Sequence, residues 1–171
     1  MKRLTSLAMV FLLVLLPAIP AEAKQPLYGE MQLDFNPGWG GPSTTVPEWT
    51  GTIAIGDGAY GMAFFNIGSG KPFVDPFTGN VLFFGEIWVI YQWLTFDNGV
   101  LDHGEVLLWG TDQGVVTFAN SKYRMNGKVE AASEIFAEWE GRIVHMSGII
   151  VWDTSGPVPV PVSAPGRFRI N

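Results

Sequence analysis

The stretch Trp49–Asn66, WTGTIAIGDGAYGMAFFN, decides the fold of this chain. Its first part, Trp49 to Ile55, alternates in polarity and is rich in β-branched side chains, which is typical of a half-buried strand. A second apolar run follows from Ala59 to Asn66, and Gly56-Asp57-Gly58 lies between the two runs. An Asp-Gly pair between such segments indicates a tight β-hairpin. The stretch therefore predicts two antiparallel strands.

Two glycine patterns in this region resemble nucleotide-binding motifs. The first is the G-x-G-x-x-G of Gly56–Gly61, but such a motif must open a helix, and here Met-Ala-Phe-Phe follows instead. The second is Gly68-Ser69-Gly70-Lys71. A phosphate loop needs a glycine where this chain has Phe65, and a serine or threonine where it has Pro72. We therefore expect no nucleotide binding.

The hairpin pattern continues towards the C-terminus. Val81–Phe96 reads as one long bent strand or two strands, with Gly85 as a possible bulge. Turns are predicted at Asp97-Asn98-Gly99 and at Thr111–Gly114, and Asp112 is assigned to the second of these turns. The alternation in Tyr123–Ala131 predicts a strand with one dry and one wet face.

One segment has a helical pattern, Ser133–Gly141. We expect Ser133 to cap a short helical turn, with Ile135, Phe136 and Trp139 facing the core and Gly141 ending it. The remaining chain predicts eight or nine short strands joined by hairpins. Such strands favour an all-β fold, either an antiparallel up-and-down barrel or a sandwich. We prefer a single barrel of about eight strands that spans residues 24–171. Closure leaves no exposed sheet edges, and we expect the last strand, Arg167–Asn171, to pair near the first.

The N-terminus reads as a secretory signal peptide. Met1-Lys2-Arg3 is basic, Leu4–Leu16 is apolar, and Ala21-Glu22-Ala23 is a small-residue cleavage site. We expect cleavage near Ala23, export to the periplasm or outside the cell, and no stable membrane span afterwards, since the apolar run is shorter than the roughly 20 residues that cross a bilayer.

Composition excludes several functional classes. Cleavage would remove Lys2, Arg3 and Glu22 and take the formal charge from −6 to −7, which argues against nucleic acid and anionic membranes as partners. The absence of cysteine excludes disulfides, thiol catalysis and thiolate-bound metals. No acidic run has calcium-loop spacing, and we expect no cofactor and no metal.

Residues 122–152, KYRMNGKVEAASEIFAEWEGRIVHMSGIIVW, and the tail APGRFRIN carry a resemblance to a known family. They resemble the closing half of allene oxide cyclase-like and dirigent-like proteins, including uncharacterised secreted bacterial members. The resemblance implies an eight-stranded calycin-like barrel, often oligomeric, with an apolar cavity. Plant members cyclise an unsaturated fatty-acid epoxide or guide the coupling of phenolic radicals. No residue of this chain matches a catalytic position of either group.

Three polar residues are candidates for chemistry. His103 and Glu105 share one strand face, and His145 lies in another strand. If both faces look inward, the three side chains would form a luminal cluster suited to acid–base work or to a metal. The alternative, which we prefer, is that they are ordinary exposed or hydrogen-bonded strand residues.

Aromatic residues give a second set of candidates. Trp88 lies on the face of Glu86, whereas Tyr91 and Trp93 lie on the opposite face. Small apolar ligands are bound by such side chains, although core packing or a subunit contact explains them equally well. We therefore expect either a non-catalytic barrel that binds a small apolar ligand or has a structural role, or a cyclase or isomerase acting on a lipid-like substrate. A homo-oligomer is possible in either case. A lumen above a few hundred cubic ångströms would favour ligand binding, and a filled lumen the structural role.

Overall fold

The computed structural model describes residues 25–67 and 73–171. The predicted signal peptide and the Gly68–Lys71 motif lie outside these residues. Within them the chain is all-β, with the strands β1 (Leu27–Phe35), β2 (Trp49–Ile55), β3 (Gly58–Asn66), β4 (Phe73–Val74), β5 (Val81–Tyr91), β6 (Leu94–Asp97), β7 (Val100–His103), β8 (Val106–Thr117), β9 (Lys122–Ala132), β10 (Ile143–Ile149), β11 (Val151–Asp153), β12 (Val160–Ser163) and β13 (Gly166–Ile170).

Eight of these strands form a closed antiparallel barrel. The order around the ring is β1, β2, β3, β5, β8, β9, β10 and β13, so each strand pairs with the next barrel strand of the chain. The last strand closes the ring, because Leu27 of β1 lies opposite Ile170 of β13. This confirms the predicted up-and-down barrel and the pairing of the C-terminal strand with the first one.

The predicted hairpins are also present. Ile55 lies opposite Gly58, which leaves Gly56 and Asp57 as a two-residue turn. In the β6–β7 hairpin, Asn98 and Gly99 have φ values of 49° and 80°, and this double positive φ is what the tightest hairpin turns require. The register of β5 against β8 shifts between Phe84 and Glu86, which confirms a bulge at Gly85.

The predicted turn at Thr111–Gly114 is wrong, because these residues lie inside the twelve-residue strand β8. The glycine that suggested a turn, Gly114, has another role. A Cβ atom on Gly114 would lie 2.8 Å from the Arg124 carbonyl oxygen and 2.7 Å from Met125 Cγ. Glycine fits here because the neighbouring strand approaches closely, which a single sequence does not distinguish from turn formation.

One end of the barrel is closed by the predicted helical segment, which forms a 3-10 helix over Glu134–Trp139. Phe136 and Trp139 are buried against the luminal core as expected. Two details were wrong: Ile135 is 68% exposed, and Ser133 makes no side-chain cap. We call this end, where β2 and β9 finish, the plugged end. The opposite end, where β1 and β3 finish and β2 and β9 begin, is called the mouth.

The β6–β7 hairpin packs on the outside of the barrel. It covers a small apolar cluster on the outer faces of β3 and β5, formed by Ala63, Phe65, Val89 and Tyr91 with Leu94 and Leu101 of the hairpin. A second 3-10 helix, Phe118–Asn120, joins β8 to β9. Both described helices are too short to cross a membrane.

Candidate functional site

Three acidic side chains are buried at the mouth. Glu86 of β5 and Asp112 of β8 are register partners, and each is only 6% exposed. Both side chains point into the lumen, because Glu86 is in phase with the fully buried Trp88. Glu48, which directly precedes β2, is 9% exposed. Buried carboxyl groups without cationic partners are rare in proteins, which makes this position unusual.

The mouth contains a small pocket with a volume of about 60 Å³. Glu48 and Glu86 are its acidic wall residues, and its other walls are apolar: Leu33, Trp49, Phe64, Val115, Val116, Tyr123, Met125, Ile150 and Ala164. Beyond it, large side chains such as Trp88, Phe168 and Met146 fill the lumen. The volume is well below the roughly 300 Å³ at which drug-sized ligand pockets begin, so the lumen itself is filled, which is the outcome that favours the structural role.

Burial and neighbouring negative charge raise the pKa of both paired carboxyls. Burial, reinforced by the negative charge of Glu48, raises the pKa of Glu86 to about 8. Burial and the charge of Glu86 raise the pKa of Asp112 well above its usual value. Neither oxygen of Asp112 makes a well-formed hydrogen bond within the described part of the chain. Protonation of one carboxyl would let it donate to the other, so the pair holds at least one proton at neutral pH.

Glu48 is held by the loop that precedes β2. The Asn66 side-chain amide donates to Glu48 Oε2 at 3.3 Å. The backbone N–H of Asn36 donates to the Glu48 carbonyl at 2.9 Å, and the Asn36 side chain donates to the Pro47 carbonyl at 2.9 Å. Burial raises the pKa of Glu48, although hydrogen bonds from Asn66 and Trp49 oppose the shift. Glu48 is therefore the mouth carboxyl that is best prepared to carry a charge.

This arrangement presents a proton donor inside an apolar pocket. A protonated Glu86 can donate to a neutral oxygen on a ligand, and at higher pH it can accept a proton instead. No group of three or more acidic or histidine side chains in the described residues is arranged to hold a metal ion.

The residues predicted from sequence are spread over three places. Trp88 lies in the lumen, where its ring makes an edge contact with Phe168 at a centroid distance of 5.4 Å. Tyr91 stacks on His103 at 4.2 Å under the outer hairpin. Trp93 is 46% exposed, and its carbonyl accepts from the Gly104 N–H at 3.0 Å.

The proposed luminal cluster of His103, Glu105 and His145 does not form, because all three side chains are exposed on the outside. His145 Nδ1 lies 2.7 Å from Asn126 Oδ1 on the outer face of β9 and β10. Strand parity places His145 on the same face as Ile143 and Ser147, but parity does not say which face looks inward. The exposed, hydrogen-bonded alternative is therefore the one that the structure shows.

Sequence reasoning missed the mouth carboxyls. The sequence predicts a turn at Asp112, and it shows Glu86 only as an acid on the same strand face as Trp88. A usable signal was the isolation of Glu86 between Phe84 and Trp88, because a lone acid in a strand that is apolar on both faces has no solvated face available.

Comparison of the chain with protein-family models, with curated proteins and with solved structures finds no match. The resemblance to allene oxide cyclase-like and dirigent-like proteins therefore stays a prediction.

Proposed function

We propose that this protein is exported and binds a small neutral molecule at the mouth of its barrel. The observation that carries the proposal is Glu86, a buried carboxyl with a pKa of about 8 in the wall of an otherwise apolar pocket. Such a group donates a hydrogen bond at neutral pH without carrying charge. The apolar walls favour the hydrocarbon part of the ligand, and the carboxyl favours an oxygen that accepts a hydrogen bond.

The pocket volume limits the size of what enters. A cavity of about 60 Å³ accommodates on the order of five water-sized groups, since each takes roughly 10–15 Å³ by this measure. The ligand is therefore a short-chain molecule or the end of a longer one. The pocket also limits the charge of the ligand, because a negative charge on Glu48 and the apolar walls disfavour an anionic head group.

Titration with two short probes tests this proposal. Ligand-observed NMR should detect binding of 2-hexanone at pH 6 and no binding of hexanoate, because only the ketone offers an uncharged acceptor. Binding of the ketone should weaken as the pH rises through 8, when Glu86 loses its proton. Equal binding of the two probes, or binding of neither, contradicts the proposal.

Matched variants separate the carboxyl from the cavity. Glu86→Gln keeps a neutral donor, so it should retain ketone binding and lose its pH dependence, whereas Glu86→Leu should lose binding. Ala164→Leu narrows the pocket without changing its charge and should also block the probe. Ala54→Leu on the exposed outer face is the control for the added side chain. Native mass spectrometry of protein purified from its host then identifies the natural ligand and the subunit number.

A second candidate is an isomerase or cyclase that acts on a lipid-like substrate. The observation that favours it is the neighbouring pair Glu86 and Asp112, since a carboxyl that titrates near neutral pH suits general acid–base catalysis. In deuterated water, such a pair would accelerate exchange of the α-protons of 2-hexanone. Glu86→Gln distinguishes the two functions, because it would keep binding and abolish exchange.

A further inference from the structure

All the cations of the described chain lie in one region. Residues 25–67 and 73–171 contain fifteen acidic residues but only six lysines and arginines. Five of the six project from the outer faces of β9 and β13, and the sixth, Arg142, directly precedes β10, which lies between those strands. We call the outer face of β9, β10 and β13 the cationic wall; it also carries Glu130, and its cations are Lys122, Arg124, Lys128, Arg167 and Arg169.

Strand register fixes the spacing of these cations. Ser147 of β10 lies between Arg124 of β9 and Arg167 of β13, and is paired with both. The two arginines are therefore two strand spacings apart, about 10 Å. One row further, His145 lies in the same way between Asn126 and Arg169. The wall thus presents guanidinium groups on either side of a strip of smaller side chains.

Most of these charges are not neutralised by the protein. Lys128 pairs with Glu130 at 3.7 Å, and the Arg169 guanidinium lies over the Tyr28 ring at 5.5 Å. Among the described residues, Lys122, Arg124 and Arg167 have no acidic group within ion-pair distance, although Glu30 on β1 is the register partner of Arg167. The wall therefore attracts anions even though the protein as a whole is acidic.

We propose that the cationic wall binds a linear acidic polysaccharide, a sugar chain that carries carboxylate or sulfate groups. Arginine forks pair with such groups through two parallel hydrogen bonds. The outer faces of these three strands carry no tryptophan, tyrosine or phenylalanine, so they lack the stacking platform that single-stranded nucleic acids require. Lys122, Arg124 and Arg167 line a concave groove of about 780 Å³ on this outer face, which can hold a linear chain, whereas a planar membrane would not enter it. The proposal rests on the predicted export, which would bring the protein to such chains.

The proposal is tested by measuring the affinity of the protein, from residue 24 onward, for two acidic polysaccharides. Heparin carries sulfate groups, and polygalacturonate carries carboxylates. We expect binding to one or both at low salt, weakening steadily as salt is added. Neutral dextran should not bind. Absence of binding to both acidic chains at low salt overturns the proposal.

Charge-matched variants locate the site. Arg124→Gln with Arg167→Gln should weaken binding about tenfold or more, because two charge-assisted contacts are lost. Gln92→Glu with Thr95→Glu changes the net charge by the same amount at exposed positions that do not line the groove beside Lys122, Arg124 and Arg167, and should change affinity less than about threefold. If the two double variants weaken polysaccharide binding equally, the wall is not a defined site. Tighter binding of single-stranded DNA or of anionic vesicles than of either polysaccharide would also contradict the proposal. None of these positions lines the mouth pocket, so failure here leaves the ketone experiment unaffected.

Discussion

The two ends of the barrel differ in how they separate the apolar lumen from solvent. At the plugged end a short 3-10 helix inserts Phe136 and Trp139 between the strand ends, and Phe136 makes an edge contact with Tyr60 at 6.0 Å. At the mouth the lumen is left partly open, and carboxyl groups are buried there at an energetic cost. The difference indicates that the plugged end serves stability, whereas the mouth keeps a destabilising arrangement that folding does not need.

The largest effect is expected at the plugged end. Trp139→Ala should lower the free energy of unfolding by about 3–5 kcal/mol, because it removes a buried indole and leaves a cavity. Urea unfolding followed by circular dichroism measures the loss. Ile135→Ala in the same helix is the control, and its exposed side chain should cost less than about 0.5 kcal/mol. Similar losses in both variants would show that the helix does not plug the barrel.

At the mouth a substitution should stabilise the protein. The folded-state pKa of Glu86, about 8, is above its unfolded value. Its contribution to the free energy of unfolding is therefore greatest below the unfolded pKa and is lost as the pH rises towards 8. Glu86→Gln removes the titrating group and should raise the free energy of unfolding at pH 8 by roughly 2–4 kcal/mol, with little change at pH 4.

Denaturant unfolding curves between pH 4 and pH 8 measure the difference in the free energy of unfolding between the wild type and Glu86→Gln. Glu140→Gln is the control, because this exposed glutamate should have almost no effect on stability. A wild-type stability that stays flat between pH 5 and 8 would show that Glu86 is not buried as described.

The smallest effect is expected in the apolar part of the mouth. The Tyr123 hydroxyl donates to the Ala164 carbonyl at 3.4 Å, a long hydrogen bond, and burial raises its pKa. Tyr123→Phe keeps the ring and should change the free energy of unfolding by less than about 1 kcal/mol. Thermal unfolding compares the change in stability caused by Tyr123→Phe with the change caused by Glu86→Gln. A loss above 2 kcal/mol would mean that the mouth depends on polar contacts as well as on packing.

The two ends also differ in how far the sequence predicts them. The plug was identified because Phe136 and Trp139 recur at helical spacing in a chain otherwise made of strands, a local pattern. The mouth was not identified, because its carboxyls come from three segments that only barrel closure brings together. Hairpin signals at Gly56-Asp57 and Asn98-Gly99 predicted the ring, since turn geometry acts over a few residues. The inward face of each strand depends on the whole ring, which is why His145 lies outside and Asp112 inside.

Strand β1 pairs with β2 on one side and with β13 on the other, so the ring is complete only when the first and the eighth barrel strands of the chain meet. Until then both β1 and β10 present free hydrogen-bonding edges. The β1–β13 pairing joins strands that are far apart in the sequence, and it is the pairing that closes the barrel. A chain in which these two strands have not yet paired is therefore an open sheet and not a barrel. Chains truncated before Gly166 would lack β13, leave both sheet edges unpaired and be expected to aggregate.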